Sequence, residues 1–300
     1  MAGFLGLGLN RAPGTSQNFD FMQQVVDHGF LAGNQQFSLH LANTSGTSYV
    51  DFGVTKAAGL LAGTTSVAMD VVSDSAEWKT LMVGTQFGDD VEAAWGYKDT
   101  YAVYDSSVQC VYFPEKEWAW FSNEILSKTT GWYNDDTYGP VASCDNVDLM
   151  PTIYFMLRGK DGKDYWTEWM AQDYMLEIGS TQECQVCVHP NANNNEIRLG
   201  TSFLRGYYAE FDRTAMTVGL GPSTTNTKVQ IVEGTAPTRL RGYSTAKVAG
   251  LGSGMAVCVG LWLWIVIVAG CYMMNRTAKG SQKKIIATVD GEAQLITFNE

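Results

Sequence analysis

The chain has 300 residues, of which 45% are hydrophobic and 17% charged, and it contains 9 Trp, 14 Tyr and 13 Phe. So aromatic a composition with so few charges excludes an intrinsically disordered protein and leaves enough chain for a sizeable core. The net charge of −11, from 20 Lys and Arg against 31 Asp and Glu, argues against a nucleic-acid partner.

Residues 1–222 consist mostly of short runs rich in β-branched and aromatic residues, separated by Gly, Asn, Asp and Ser. This pattern is typical of strands and turns. Two segments predict helices instead, 18–28, which ends at Gly29, and 116–127. The runs that most clearly predict strands are 37–41, 48–52, 101–104, 152–157 and 207–211. Many strands and few helices indicate an all-β architecture.

The C-terminal part of the chain has a different character. Residues 223–250 are rich in Ser and Thr and predict an extended stalk. The uncharged run 251–274 is long enough for a bilayer-spanning helix of ~20 residues, and a buried core helix is the weaker alternative because such helices rarely stay apolar on every face. Four basic residues soon after this run favour a cytoplasmic tail at 275–300.

These features predict a single-pass type I membrane protein. Its large domain would be lumenal or extracellular, in an endomembrane, a lysosome-like compartment or the plasma membrane. The sequon Asn43-Thr44-Ser45, between two predicted strands, would then be a glycosylation site. His28, His40 and His189 are too far apart in sequence to suggest metal ligands, and no metal site is predicted.

Several motifs follow one another in a fixed order along residues 2–222. AGFLGLG at 2–8, a helix, FSLHL at 37–41 and DFG at 51–53 are followed by YAVYDSSV at 101–108. The most specific element is LGTSFLRGYYAEFD at 199–212. This series resembles the pepsin-like aspartic peptidases, in which D-G-I-L-G-L, F-S-x-x-L and F-G-G close the first lobe. In the second lobe of that family, D-[ST]-G-[ST] precedes L-G-D-x-F-L-R-x-Y-x-x-x-F-D.

The resemblance implies a partial N-terminal lobe at 1–55 and a complete C-terminal lobe at 56–222. It also implies an endopeptidase whose two aspartates share a proton and activate a water molecule, with peptide or protein substrates and no cofactor. The sequence begins near the end of the first lobe, after the first catalytic aspartate of that family. We therefore expect the chain as given to be inactive.

Asp105 matches the second catalytic aspartate, but its neighbours depart from the family pattern. Ser106 fits, Ser107 replaces a glycine, and Val108 replaces a residue whose hydroxyl donates to the carboxylate. Losing that donor is expected to raise the pKa of Asp105. Three hypotheses remain open: an aspartic endopeptidase, a catalytically inert peptide- or protein-binding domain, or a spacer in which Asp105 has no catalytic role.

The resemblance also implies a disulfide from Cys144 to a later cysteine of the second lobe. The spacing from Tyr174 favours Cys184 over Cys187 as the partner. Cys110 and Cys187 are then a candidate second pair. The C-x-x-C at 184–187 stands without a second such motif, so a zinc site is not predicted.

Overall fold

The fold is known from a computed structural model that describes residues 7–9, 21–31, 35–42, 46–53, 57–73, 75–88, 94–193, 195–234, 284–289 and 292–297. The chain divides into two compact units, Met1–Arg241 and Gly242–Glu300. Each unit is described by itself below.

Strands dominate the described residues, and the helices are short. In chain order the elements are α1 (Phe21–Asp27), β1 (Gln36–His40), β2 (Tyr49–Phe52), β3 (Val67–Asp70), β4 (Lys79–Phe87), β5 (Ala94–Tyr104), β6 (Val111–Pro114), α2 (Glu115–Glu124), β7 (Tyr133–Asp135), β8 (Gly139–Ser143), β9 (Ile153–Arg158), β10 (Asp164–Trp169), α3 (Ala171–Tyr174), β11 (Met175–Glu177), β12 (Glu183–Val186), β13 (Val188–Asn191), β14 (Glu196–Leu199), α4 (Thr201–Leu204), β15 (Tyr207–Asp212), β16 (Thr217–Pro222), β17 (Ile231–Glu233), β18 (Lys284–Val289) and β19 (Glu292–Thr297). The all-β prediction is confirmed.

The first sheet joins the beginning and the end of the large unit. Its five antiparallel strands have the order β2–β1–β15–β16–β3. Phe37 of β1 lies opposite Phe211 of β15, and their rings stack with centroids 4.7 Å apart. Side chains alternate between the faces of a strand, so Phe37, Leu39 and Phe211 all turn toward the core. Strands from 1–55 and from 56–222 thus share one sheet.

The second sheet positions the candidate site. It has eight strands in the order β13–β6–β14–β5–β4–β9–β10–β17, and a third sheet has the order β11–β12–β8–β7. β14 runs parallel to β5, with Leu199 opposite Tyr104, whereas β4 runs antiparallel to β5. The C-terminal ends of β5 and β14 therefore lie side by side, and Asp105 directly follows one of them.

Two disulfides crosslink segments at the ends of strands in the second and third sheets. Cys110, just before β6, bonds to Cys187, which lies between β12 and β13. Cys144, just after β8, bonds to Cys184 of β12. The structure thus contains the pair implied by the family resemblance and the second candidate pair.

The two predicted helices form with shifted bounds. The first covers Phe21–Asp27, and the chain leaves it through Gly29, whose φ of +73° is readily adopted by glycine. The second ends at Glu124 and is followed by a 3₁₀ turn at Leu126–Lys128.

Residues 223–234 belong to the folded unit rather than to the predicted stalk. Ser223, Asn226 and Val229 are buried, and β17 pairs with β10. The Asn226 side-chain amide donates to both carboxylate oxygens of buried Asp173 at 3.1 Å. A polar composition here reflects buried hydrogen bonds, which the Ser and Thr count alone does not distinguish from an exposed stalk.

The predicted membrane span at 251–274 and the sequon at Asn43 lie outside the described residues. Within the described ranges, none of the helices is both long and apolar enough to span a bilayer. The second unit contributes the antiparallel hairpin of β18 and β19, with Ile285 opposite Ile296.

Replacing Asn226 by Ala is expected to lower the free energy of unfolding by about 1–3 kcal/mol, because the buried acceptor Asp173 loses its amide partner. Asp173 is buried, so water cannot replace the lost amide donor. The same burial raises the pKa of Asp173. Denaturant unfolding of the purified chain measures the change. Thr227→Ala, at the exposed next position, is the control and should change stability by less than about 0.5 kcal/mol. Equal losses in both variants would contradict the assignment.

Candidate active site

The loop after β5 is held in place by the backbone around the start of α4. The Asp105 N–H donates to the Leu199 carbonyl at 3.0 Å, and the Thr201 N–H donates to the Val108 carbonyl at 2.9 Å. These bonds fix both ends of the 105–108 loop. The position of the Asp105 backbone is therefore set by main-chain contacts with the end of β14 and the start of α4.

Gly200 makes this close approach sterically feasible. A Cβ atom at residue 200 would lie 2.3 Å from the carbonyl oxygen of Cys110 and 2.8 Å from the carbonyl carbon of Gln109. Both neighbours are backbone atoms, which cannot give way as a side chain does. The glycine of the L-G-x-x-F-L-R element is thus explained by packing.

The carboxylate of Asp105 accepts hydrogen bonds on both oxygens. Oδ1 accepts from the Ser107 N–H at 2.9 Å and the Ser107 hydroxyl at 2.5 Å, and Oδ2 accepts from Arg198 Nη1 at 2.6 Å. Burial alone would raise the pKa of Asp105, but the hydrogen bonds from Ser107 and Arg198 outweigh it and hold the pKa below its ordinary value.

The effect of losing a hydroxyl at residue 108 stays a prediction, because the lowered pKa of Asp105 reflects the hydrogen bonds from Ser107 and Arg198. A hydroxyl at residue 108 is missing, but Ser107 supplies one from the adjacent position and Arg198 adds a charged donor. Ser107 replaces a glycine of the family pattern, and its side chain folds back onto the carboxylate. Ser106 is exposed.

A row of alternating charges extends from Asp105 across three strands. Arg198 Nη2 donates to Glu77 Oε1 at 3.0 Å, and Lys79 pairs with Glu196 and lies 3.9 Å from Glu77 Oε2. The register explains the row, because Arg198 of β14 and Lys79 of β4 both lie opposite Val103 of β5. Opposed residues of neighbouring strands share one face of a sheet.

A cavity of about 240 Å³ opens beside Asp105, and we call it the Asp105 cavity. Its polar edge is formed by Asp105, Ser106, Ser107, Arg198 and Glu77, and its apolar wall by Leu7, Phe37, Leu39, Trp78, Val103, Leu204 and Phe211. Trp78 closes one side, because its indole N–H donates to the Leu7 carbonyl at 2.7 Å.

The structure places Asp105, Ser106 and Ser107 together at this cavity, and the carbonyl of Val108, at the end of the same loop, accepts from the Thr201 N–H. Arg198 and Glu77 were missed by the sequence analysis. Arg198 directly precedes the L-G of the most specific motif. A charged residue in a strand that leads into a buried turn is the sequence signal by which Arg198 could have been predicted. Among the described residues, no three or more His, Cys, Asp or Glu side chains are grouped to hold a metal ion.

Asp105 follows a strand of an all-β domain, and the loop that carries it packs against an L-G-x-x-F-L turn. This arrangement is typical of pepsin-like aspartic peptidase domains. The family model for eukaryotic aspartyl protease matches residues 1–223. The chain belongs to this family. A search of curated proteins finds no match.

Removing the Ser107 hydroxyl is expected to raise the pKa of Asp105, since that hydroxyl stabilises the ionised carboxylate. Ser107→Ala keeps the N–H bond at 2.9 Å and so isolates the side chain. The chemical shift of the Asp105 carboxyl carbon, followed by NMR against pH, reports the pKa. Ser106→Ala is the matched control and should leave the pKa unchanged. An identical pKa for wild type and Ser107→Ala would refute the assignment.

Proposed function

We propose that the protein binds extended peptide or protein segments at the Asp105 cavity, as a membrane-anchored member of the aspartyl protease family. The observation that carries the proposal is the position of Asp105, an ionised carboxylate at a strand end between an apolar wall and a polar edge. An apolar wall suits one side chain of a ligand, and the carboxylate suits a backbone N–H or a hydroxyl.

The size of the Asp105 cavity supports a polymeric ligand. At about 240 Å³ it is smaller than the ~300–1,000 Å³ typical of small-molecule pockets. It is large enough for one side chain of a longer segment whose remainder lies across the surface.

Peptide hydrolysis is the second candidate function. It is favoured by the N–H of Ser107, which aims Oδ1 of Asp105 from the backbone at 2.9 Å. The chemistry requires two carboxylates that share one proton, so that one acts as base and the other as acid. The ion pair with Arg198 restricts Asp105 to the base of such a pair, because it favours an Asp105 that carries no proton.

Binding is expected to depend on the charge of Asp105. A fluorescent statine-type peptide, whose central hydroxyl can donate to a carboxylate, should bind the detergent-solubilised full chain saturably. Asp105→Asn should weaken binding about 10-fold or more, since a hydrogen bond to a charged group contributes roughly 1.5–3 kcal/mol. Fluorescence anisotropy measures the affinity.

Asp161→Asn, at an exposed turn between β9 and β10, is the control variant and should bind like wild type. Mass spectrometry of a substrate peptide incubated at pH 3–6 should recover it intact. Cleavage by wild type but not by Asp105→Asn would establish hydrolysis instead. Absence of binding at every pH would exclude the peptide-binding proposal.

Membrane anchoring by residues 251–274 and a lumenal or extracellular large domain complete the proposal. The uncharged run supports the anchor. The two disulfides support the placement of the domain, because disulfides persist mainly in oxidising compartments. Glycosylation of Asn43 belongs to the same arrangement.

Alkaline carbonate should leave the protein in the membrane pellet, because an apolar span resists extraction. Protease added to sealed microsomes should remove a tag at residue 300 and spare a tag placed before residue 1. An Asn43→Gln variant should lose the mass that a glycosidase removes from wild type. Release by carbonate, or protection of both tags, would contradict the anchor.

A further inference from the structure

The ion pair between Asp105 and Arg198 differs from an ordinary surface pair. Their side chains are only 19% and 28% exposed, and the Nη1–Oδ2 distance is 2.6 Å. With Ser107 on Oδ1, the carboxylate is held from both sides. Asp105 is thereby fixed in orientation before any ligand arrives.

Arg198 is itself fixed by a second carboxylate. Its Nη2 donates to Glu77 Oε1 at 3.0 Å, while its backbone lies in β14 opposite Val103. Arg198 thus makes two charge-assisted hydrogen bonds, one to each carboxylate, and both favour this orientation of the guanidinium. Burial alone would lower the pKa of Arg198, but the hydrogen bonds to Asp105 and Glu77 outweigh burial and hold the pKa above its ordinary value.

We propose that Arg198 is the positioning residue that decides what the Asp105 cavity does with a bound peptide, because it fixes Asp105 as an ionised acceptor. A carboxylate paired with guanidinium holds no proton to share, so it binds ligand N–H or O–H groups and does not serve as the acid of a hydrolytic pair. This inference rests on the proposed peptide binding, and it names the ligand groups that Asp105 recognises.

Removing Arg198 changes the electrostatics of both carboxylates. Asp105 and Glu77 contact the same guanidinium, and without it they would lie near one another with no cation between them. Carboxylates close together cannot both ionise readily, so Asp105 would take up a proton at higher pH. The other charged groups of the row are Lys79 of β4, which lies 3.9 Å from Glu77 Oε2, and Glu196 of β14, with which Lys79 pairs.

A stability measurement tests the role of Arg198 without any ligand. The lowered pKa of Asp105 means that its ionised form stabilises the fold above the unfolded-state pKa, and that this contribution is lost as pH falls through the folded-state pKa. In the wild-type background, Asp105→Asn should therefore lower the thermal midpoint of the full chain more at pH 6.5 than at pH 3.

The same substitution in an Arg198→Met background should show a smaller difference between pH 6.5 and pH 3, because only the hydrogen bonds from Ser107 then favour the ionised carboxylate. Arg198→Lys should restore part of the pH dependence, since it keeps the charge but loses the two-pronged contact. Arg158→Met, which breaks the separate ion pair with Asp164, is the control background. In it, Asp105→Asn should have the same pH-dependent effect on the thermal midpoint as in the wild type. An unchanged Asp105→Asn effect in Arg198→Met would overturn the proposal.

Binding of the statine-type peptide gives a second, independent reading. The affinity of the wild type should stay constant between pH 6.5 and pH 4.5. The affinity of Arg198→Met should fall at least about threefold as the pH is lowered over this range, because Asp105 becomes protonated. Identical pH profiles would overturn the role of Arg198. If no variant binds the peptide, peptide binding is excluded, and the thermal midpoints still decide whether Arg198 controls the charge of Asp105.

Discussion

The close packing of Gly200 against the carbonyl groups of residues 109 and 110 determines the geometry of the site. With any side chain at residue 200, the turn into α4 would move away from the loop that carries Asp105. The bonds from Asp105 to Leu199 and from Thr201 to Val108 would then be lost. β14 ends at this contact, and the disulfide of Cys110 anchors the segment against which Gly200 packs.

Ion pairs between neighbouring strands then influence the charge of Asp105 within this geometry. The row of charges across β4, β5 and β14 has cations placed between carboxylates, so each of its carboxylates has a cation partner. Apolar side chains on one side of the Asp105 cavity exclude water from part of it, which strengthens these pairs. The aspartate of the family motif is thus held in position, and hydrogen bonds from Ser107 and Arg198 favour its ionised form.

The fold and much of the site could be predicted from sequence because their signals are local. The strand pattern, the L-G-x-x-F-L-R element and the D-S-S motif each lie within a few consecutive residues. The partners of Asp105 could not be predicted in this way. Arg198 and Glu77 are separated by 121 positions, and Arg198 and Asp105 by 93, so only the pairing of β4, β5 and β14 brings them together. Residues 223–234 were misassigned because buried Ser and Asn resemble stalk composition until their partners are known.

The first sheet has a consequence for how the chain reaches its native state. β1 pairs with β15, and Gln36 lies opposite Asp212, so this pairing closes a loop of 176 residues. Such a contact carries a large loop-closure entropy and forms late. During synthesis β1 and β2 can pair with each other early, but the other edge of β1 stays unpaired until β15 has been made. A sheet whose strands are so far apart in sequence is therefore expected to be completed late in folding.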